Sequence, residues 1–131
     1  MDSPWKKIGT VDEGREYLAL LTYLPLLKYR MIPRFLRFSF EIQRQLTATA
    51  GVVGYALRAK PFRRDFWTLS VWQDEKSLMD FVIRNPHGDI MKSLSTHMGR
   101  TKFTRWQISG SAVPPQWEDA MGRWRSEEQY A

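Results

Sequence analysis

Apolar positions along the chain follow two rhythms. EYLALLTYLPL, residues 16–26, is apolar at both parities and reads as a strand buried on both faces, ended by Pro25. Pro33 suits the first turn of a helix. From there Phe35, Leu36, Ser39, Ile42, Gln43 and Leu46 recur at spacings of three and four, which predicts an amphipathic helix over 33–48. Phe38 and Phe40 widen its apolar arc, and Arg34, Arg37, Glu41 and Arg44 take the other side. GVVGYALRA and FWTLSVW predict two further strands, at 51–59 and 66–72. KPFRRD between them breaks the run and makes a hairpin turn.

Asp74 stands as the N-cap of the helix DEKSLMDFVIRN, with Leu78, Phe81 and Val82 inward. Pro86 interrupts that helix, and a second helical piece is predicted over 87–98. KFTRWQIS, 102–109, alternates cleanly: Phe103, Arg105 and Gln107 on one face, Thr104, Trp106 and Ile108 on the other. After a Pro-Pro turn, QWEDAMGRWRSEE forms a short amphipathic terminal helix carrying Trp117, Met121 and Trp124. Residues 1–15 read as a flexible lead, 16–125 as one domain and 126–131 as a tail.

The order β-α-β-β-α-β is that of a ferredoxin-like α+β fold, with a C-terminal helix added. Its helices cover one face of the sheet, yet the strands are apolar on both. A second copy of the chain is the simplest cover for the other face, so a homodimer is expected.

Composition narrows the class. The chain has 131 residues, 43% hydrophobic, with 6 Trp and 7 Phe, too apolar for a disordered chain. It has no Cys, so it makes no disulfide, thiolate metal site or cysteine nucleophile. That fits a reducing compartment, and a cytoplasmic location is expected, with no signal peptide in the polar N-terminus. Net charge is +6, with Lys28, Arg30, Arg34, Arg37 and Arg44 in one segment and Lys60, Arg63 and Arg64 in a loop. Nucleic acid and anionic lipid therefore have to be weighed. No helix-turn-helix, zinc finger or RNP-type pattern supports nucleic acid. Membrane contact is not expected either, because the apolar arc of the basic helix is needed by the sheet.

There are two histidines, and His87 in RNPHGDIM is the first suspect for chemistry. On a helix it lies within about 40° of Met91, Leu94 and Met98, inside the apolar stripe at its N-terminal end. There it is either a buried structural histidine or a general base, substrate donor or axial haem ligand. His97 reads as structural or surface. No His, Asp or Glu cluster has metal spacing, so no structural zinc is expected. Thr22, Thr68 and Ser70 are ordinary strand residues, or pocket hydroxyls that hold a polar group of a ligand. Arg105 is a sheet-edge salt bridge or an anchor for an anionic ligand. Trp72 belongs to the core or borders an aromatic cavity, and Met91 is a gap-filler or part of the same wall.

FWTLSVWQDEKSLMDFV, NPHGDIM and FTRWQISGSAVPPQWEDA together resemble the antibiotic biosynthesis monooxygenase-like family, in its DUF3291-type or spheroidene-monooxygenase-like branch. The resemblance runs from about residue 16 to 121. It implies a dimeric α+β barrel with a ligand cavity between sheet and helices. It implies an enzyme that oxygenates, or otherwise transforms, an aromatic or apolar metabolite, with no cofactor. His87 would then be the catalytic base, and Thr22, Ser70, Trp72, Arg105 and Met91 the substrate contacts. Isomerases, cyclases and dehydratases share the scaffold. Haem-degrading relatives imply an alternative with His87 as axial ligand, although their iron-binding histidine aligns near Met91 or Lys92, and the asparagine on their first strand has only Thr22 near its place. A non-catalytic ligand-binding or membrane-peripheral protein is the third reading.

Overall fold

The computed structural model describes residues 1–83, 89, 90, 92 and 98–130. Strand β1 is Lys6–Lys7 and β2 is Glu16–Pro25; helix α1 is Ile32–Thr47; β3 and β4 are Val52–Lys60 and Asp65–Trp72; α2 is Glu75–Ile83; β5 is Lys102–Ser109; and α3 is Trp117–Tyr130. All five strands form one sheet in the order β1-β3-β4-β2-β5, and every pairing is antiparallel. Without β1 this is the ferredoxin-like arrangement that the element order predicts.

The local signals act as read. Pro33 lies in the first turn of α1, where its missing N–H has no partner to lose. The backbone N–H of Ser77 donates to Asp74 Oδ1 at 2.8 Å, so Asp74 does cap α2. Gly51, at φ +89, turns the chain from α1 into β3, and a Cβ there would lie 2.2 Å from Ser77 Oγ. Both the backbone angle and the space require glycine.

Register sorts the strands into two faces. Leu20, Thr22 and Leu24 of β2 stand opposite Ser70, Thr68 and Phe66 of β4 on the first face. Leu46, Leu78 and Phe81 from α1 and α2 pack there against Leu20, Val52, Tyr55 and Trp72. On the second face Ala19 and Leu21 pair with Val71 and Leu69. The sequence pattern calls for a second copy over this face. In the structure the chain covers it itself. Ala120 and Met121 of α3, 0% and 3% exposed, seat on Leu21, Trp67 and Leu69. Trp5, Trp106, Trp117 and Trp124 pack around them.

Of residues 1–15, expected as a flexible lead, 1–9 run along β3. Ser3 N donates to the carbonyl of Leu57 at 2.8 Å, and the N–H groups of Ile8 and Gly9 both donate to that of Val53 at 3.0 Å. The ring of Trp5 lies where a side chain on Gly54 would go, 2.5 Å from an ideal Cβ. Helix α1 also departs from expectation. Phe35 and Leu46 are buried, but Leu36 and Phe40, assigned to the inner arc from their spacing, face solvent. Six apolar residues within twelve positions span more of the helix than one sheet face can cover.

Candidate functional site

Between α1, α2 and the first face of the sheet lies a cavity of about 360 Å³, walled by Leu20, Thr22, Thr68, Ser70, Trp72, Phe81 and Phe103 among others. A smaller space of about 100 Å³ lies farther along α1, between Phe35, Phe38 and Ile42 and the sheet. Leu24, Ile42, Leu46 and Thr68 belong to the walls of both. The size and the apolar lining with few polar groups are those of a small-molecule site.

The polar groups come from adjacent strands. Thr22 and Thr68 are directly opposite each other, which sets their Cβ atoms about 5 Å apart. Ser70 follows two residues along β4 on the same face. The indole N–H of Trp72 donates to Ser70 Oγ at 2.9 Å in buried surroundings. That fixes the indole and leaves the Ser70 O–H to donate. The hydroxyls of Thr22 and Thr68 have no hydrogen-bond partner among the described residues, although both line the cavity. Gln43, on the wall of the smaller space, accepts a hydrogen bond through Oε1 from Tyr55 Oη at 3.3 Å. Burial pushes the Tyr55 phenol above its ordinary value, against a smaller opposing effect from Thr47. It therefore stays protonated at neutral pH.

Of the expected site residues, Thr22, Ser70 and Trp72 come together in this cavity. Arg105 projects from the same face of the sheet, opposite Leu20, but its guanidinium is committed to Glu75 at the start of α2, 2.7 Å away. This is the sheet-edge ion pair weighed as its plainer role. His87 and Met91 lie outside the described residues, as does His97. Thr68, Phe81 and Phe103 complete the wall. The periodicity places each on the correct face, but only the register shows that Thr68 meets Thr22.

The described lining of the larger cavity holds no imidazole, carboxylate or ammonium group. Its hydroxyls can orient a carbonyl or phenolic oxygen, and its aromatic rings can flank a flat molecule. The described residues include no group of three or more His, Cys, Asp or Glu able to hold a metal ion. No described residue could ligate a haem iron in this cavity, and the one expected to, His87, is outside them. No described helix is long and apolar enough to cross a membrane.

A family model described as Domain of unknown function (DUF3291) matches residues 44–129, well over half of the chain. The chain belongs to this family. No curated protein matches its sequence. Among solved structures the DUF3291 chain is similar to a Fusobacterium nucleatum protein provisionally assigned as a monooxygenase, with a TM-score of 0.68 and 13% identity. That alignment covers 80% of the DUF3291 chain but only 48% of the other, so the chain spans about half of that neighbour's length. It is also similar to an antibiotic biosynthesis monooxygenase, at TM-score 0.60 and 16% identity over 74% of this chain and 99% of that one. A variant of SnoaB, a cofactor-independent oxygenase from Streptomyces nogalater, aligns at TM-score 0.57 and 9% identity, over 76% and 98%. At these identities the likeness is one of fold. The DUF3291 chain has the α+β architecture of antibiotic biosynthesis monooxygenase-like proteins.

Proposed function

We propose that this DUF3291 protein is a small-molecule enzyme that oxygenates an aromatic or apolar metabolite in the cavity between sheet and helices. The observation that carries the reading is the pair of hydroxyls of Thr22 and Thr68, unpartnered among the described residues, facing each other beside Ser70 inside a largely apolar cavity. A cavity that only failed to pack would not need them; a site that holds an oxygen-bearing ring would. The fold shared with a cofactor-independent oxygenase supports chemistry without a bound cofactor. In that chemistry a base deprotonates an acidic phenol-type substrate, and the resulting anion reacts directly with O2, one oxygen atom entering the ring as a quinone oxygen and the other leaving as water with the ring hydrogen and the abstracted proton. The hydroxyls of Thr22, Thr68 and Ser70 would hold the substrate oxygen and share its growing negative charge. The cavity would exclude water, and His87 is the base to test.

The test is a panel of phenols and quinols, screened for quenching of tryptophan fluorescence and for oxygen uptake. Thr22→Val and Thr68→Val keep the shape and remove one hydroxyl each. We expect each to weaken binding of the accepted ligand by roughly tenfold, about 1.4 kcal/mol, if its hydroxyl bonds the ligand. Binding unaffected by both substitutions would reject the site. Binding that depends on the hydroxyls, without oxygen uptake or any product, would leave a ligand-binding protein and reject the oxygenase.

A further inference from the structure

Helix α1 carries a second apolar edge that the core leaves largely open, although Leu36 also borders the smaller space beside the site. Leu36 is 45% exposed and Phe40, one turn later, is 65% exposed. Arg37 and Arg44 lie within about 60° of Phe40 around the helix, so cations border this edge. Beyond the helix N-terminus, Leu27 and Tyr29 are exposed as well, and Phe62, in the turn between β3 and β4, is 92% exposed. These two loops are tied together. The Tyr29 hydroxyl donates to the carbonyl of Phe62, and the guanidinium of Arg64 sits 4.7 Å over the Tyr29 ring.

The charge around these side chains has one sign. From Tyr17 to Arg64 the only acid is Glu41, among Lys28, Arg30, Arg34, Arg37, Arg44, Arg58, Lys60, Arg63 and Arg64. Arg58 is paired with Asp2. Lys28, Arg30, Arg37, Arg44 and Arg63 are exposed and form no ion pair with a described residue. Exposed Phe, Tyr and Leu among cations match a surface that is anionic outside and apolar beneath. A polyphosphate strand offers the charge but nothing to receive Leu36.

We propose that the outer side of α1, with the loops at 27–30 and 61–64, docks on an anionic lipid bilayer. Phe40, Leu36 and Phe62 enter the headgroup layer, and the arginines and lysines meet the lipid charges. Periodicity alone spends the apolar arc of this helix on the sheet and so speaks against membrane contact; the exposed Leu36 and Phe40 remove that reason.

Sedimentation with vesicles tests it, comparing pure phosphatidylcholine with phosphatidylcholine mixed with phosphatidylserine. Binding is expected on the mixed vesicles only, and is expected to disappear as salt shortens the screening length from about 10 Å at 0.1 M to about 3 Å at 1 M. A basic residue at such a surface contributes roughly fivefold, so Arg37→Gln with Arg44→Gln should lower partitioning on the order of twentyfold. Phe40→Ser with Phe62→Ser should also lower it, with helicity and melting temperature unchanged because both rings are exposed. Absence of binding at low salt, or equal binding to both lipids, would overturn the proposal. So would unchanged vesicle binding by the Phe pair, together with equally salt-sensitive binding to duplex DNA, which would assign the surface to nucleic acid. A two-chain mass in solution that the Phe pair reduces to one would assign it to a second copy.

Discussion

Met121→Ala tests how the sheet is closed. The Met121 side chain is almost wholly buried against Leu21, Trp67 and Leu69. Removing it deletes most of a buried thioether chain, and a Met-to-Ala truncation of this kind costs about 2–5 kcal/mol. A sheet held by hydrogen bonds on both sides of β2 and β4 cannot collapse into the gap, so a value near 3 kcal/mol is expected. Typical stabilities are about 5–15 kcal/mol, so the variant should still fold. With a urea slope of about 1–3 kcal/mol per molar, its midpoint should fall by about 1–3 M. Urea titrations followed by circular dichroism and tryptophan fluorescence would measure this. Met79→Ala, at an exposed site on α2, is the control and should change stability by less than about 0.5 kcal/mol. A Met121→Ala midpoint equal to that of the parent would mean that α3 does not pack on the sheet in solution. The account of the second face would then be wrong.

Three further outcomes are expected. Ser70→Ala leaves the Trp72 indole N–H without its acceptor in a buried place and should cost about 1–3 kcal/mol in the same titration. Light scattering should report one chain, 15.5 kDa, because the face that called for a partner is covered; a two-chain mass insensitive to Met121→Ala would put a dimer contact on another surface. Arg58 donates to both carboxylate oxygens of Asp2, at 2.7 and 2.8 Å, and these bonds hold the Asp2 carboxyl below its ordinary value despite some desolvation. A depressed carboxyl stabilises the fold above its unfolded pKa and loses that contribution as pH falls through the folded one. Asp2→Asn should therefore lower stability at neutral pH by less than about 1 kcal/mol for so exposed a pair, seen as a slightly lower melting temperature, and the difference should vanish in acid.

The strands and the ferredoxin-like order were legible because alternation and chain punctuation are local. KFTRWQIS occupies the β5 range of Lys102–Ser109 as read. The cover of the second face was not legible. Trp117, Met121 and Trp124, spaced by four and three, reveal an amphipathic helix but not the surface it seeks. Such a stripe fits its own sheet, a neighbour's sheet or a groove equally well. The outward turn of Leu36 and Phe40 was hidden for a related reason: spacing identifies a stripe but does not say where the sheet ends. At the site, Ser70 and Trp72 share a face by parity alone, whereas Thr22 joins them only through the register of β2 on β4, and the pairing of Arg105 with Glu75 depends on where α2 starts over the sheet.

The short arm beside β3 has a consequence for how copies of this protein behave when crowded. Any open-sided sheet offers backbone donors and acceptors to a strand from another molecule, which is how ordered aggregates grow. Here one rim ends in Lys6–Lys7, only two residues long and exposed. The opposite rim, β5, opens on Lys102, while its Arg105 is held by Glu75. Two molecules approaching rim to rim would set cation against cation before any strand could zip. The basic excess thus guards the sheet against growing by addition of foreign strands, and acetylating these lysines or raising the salt should weaken that guard.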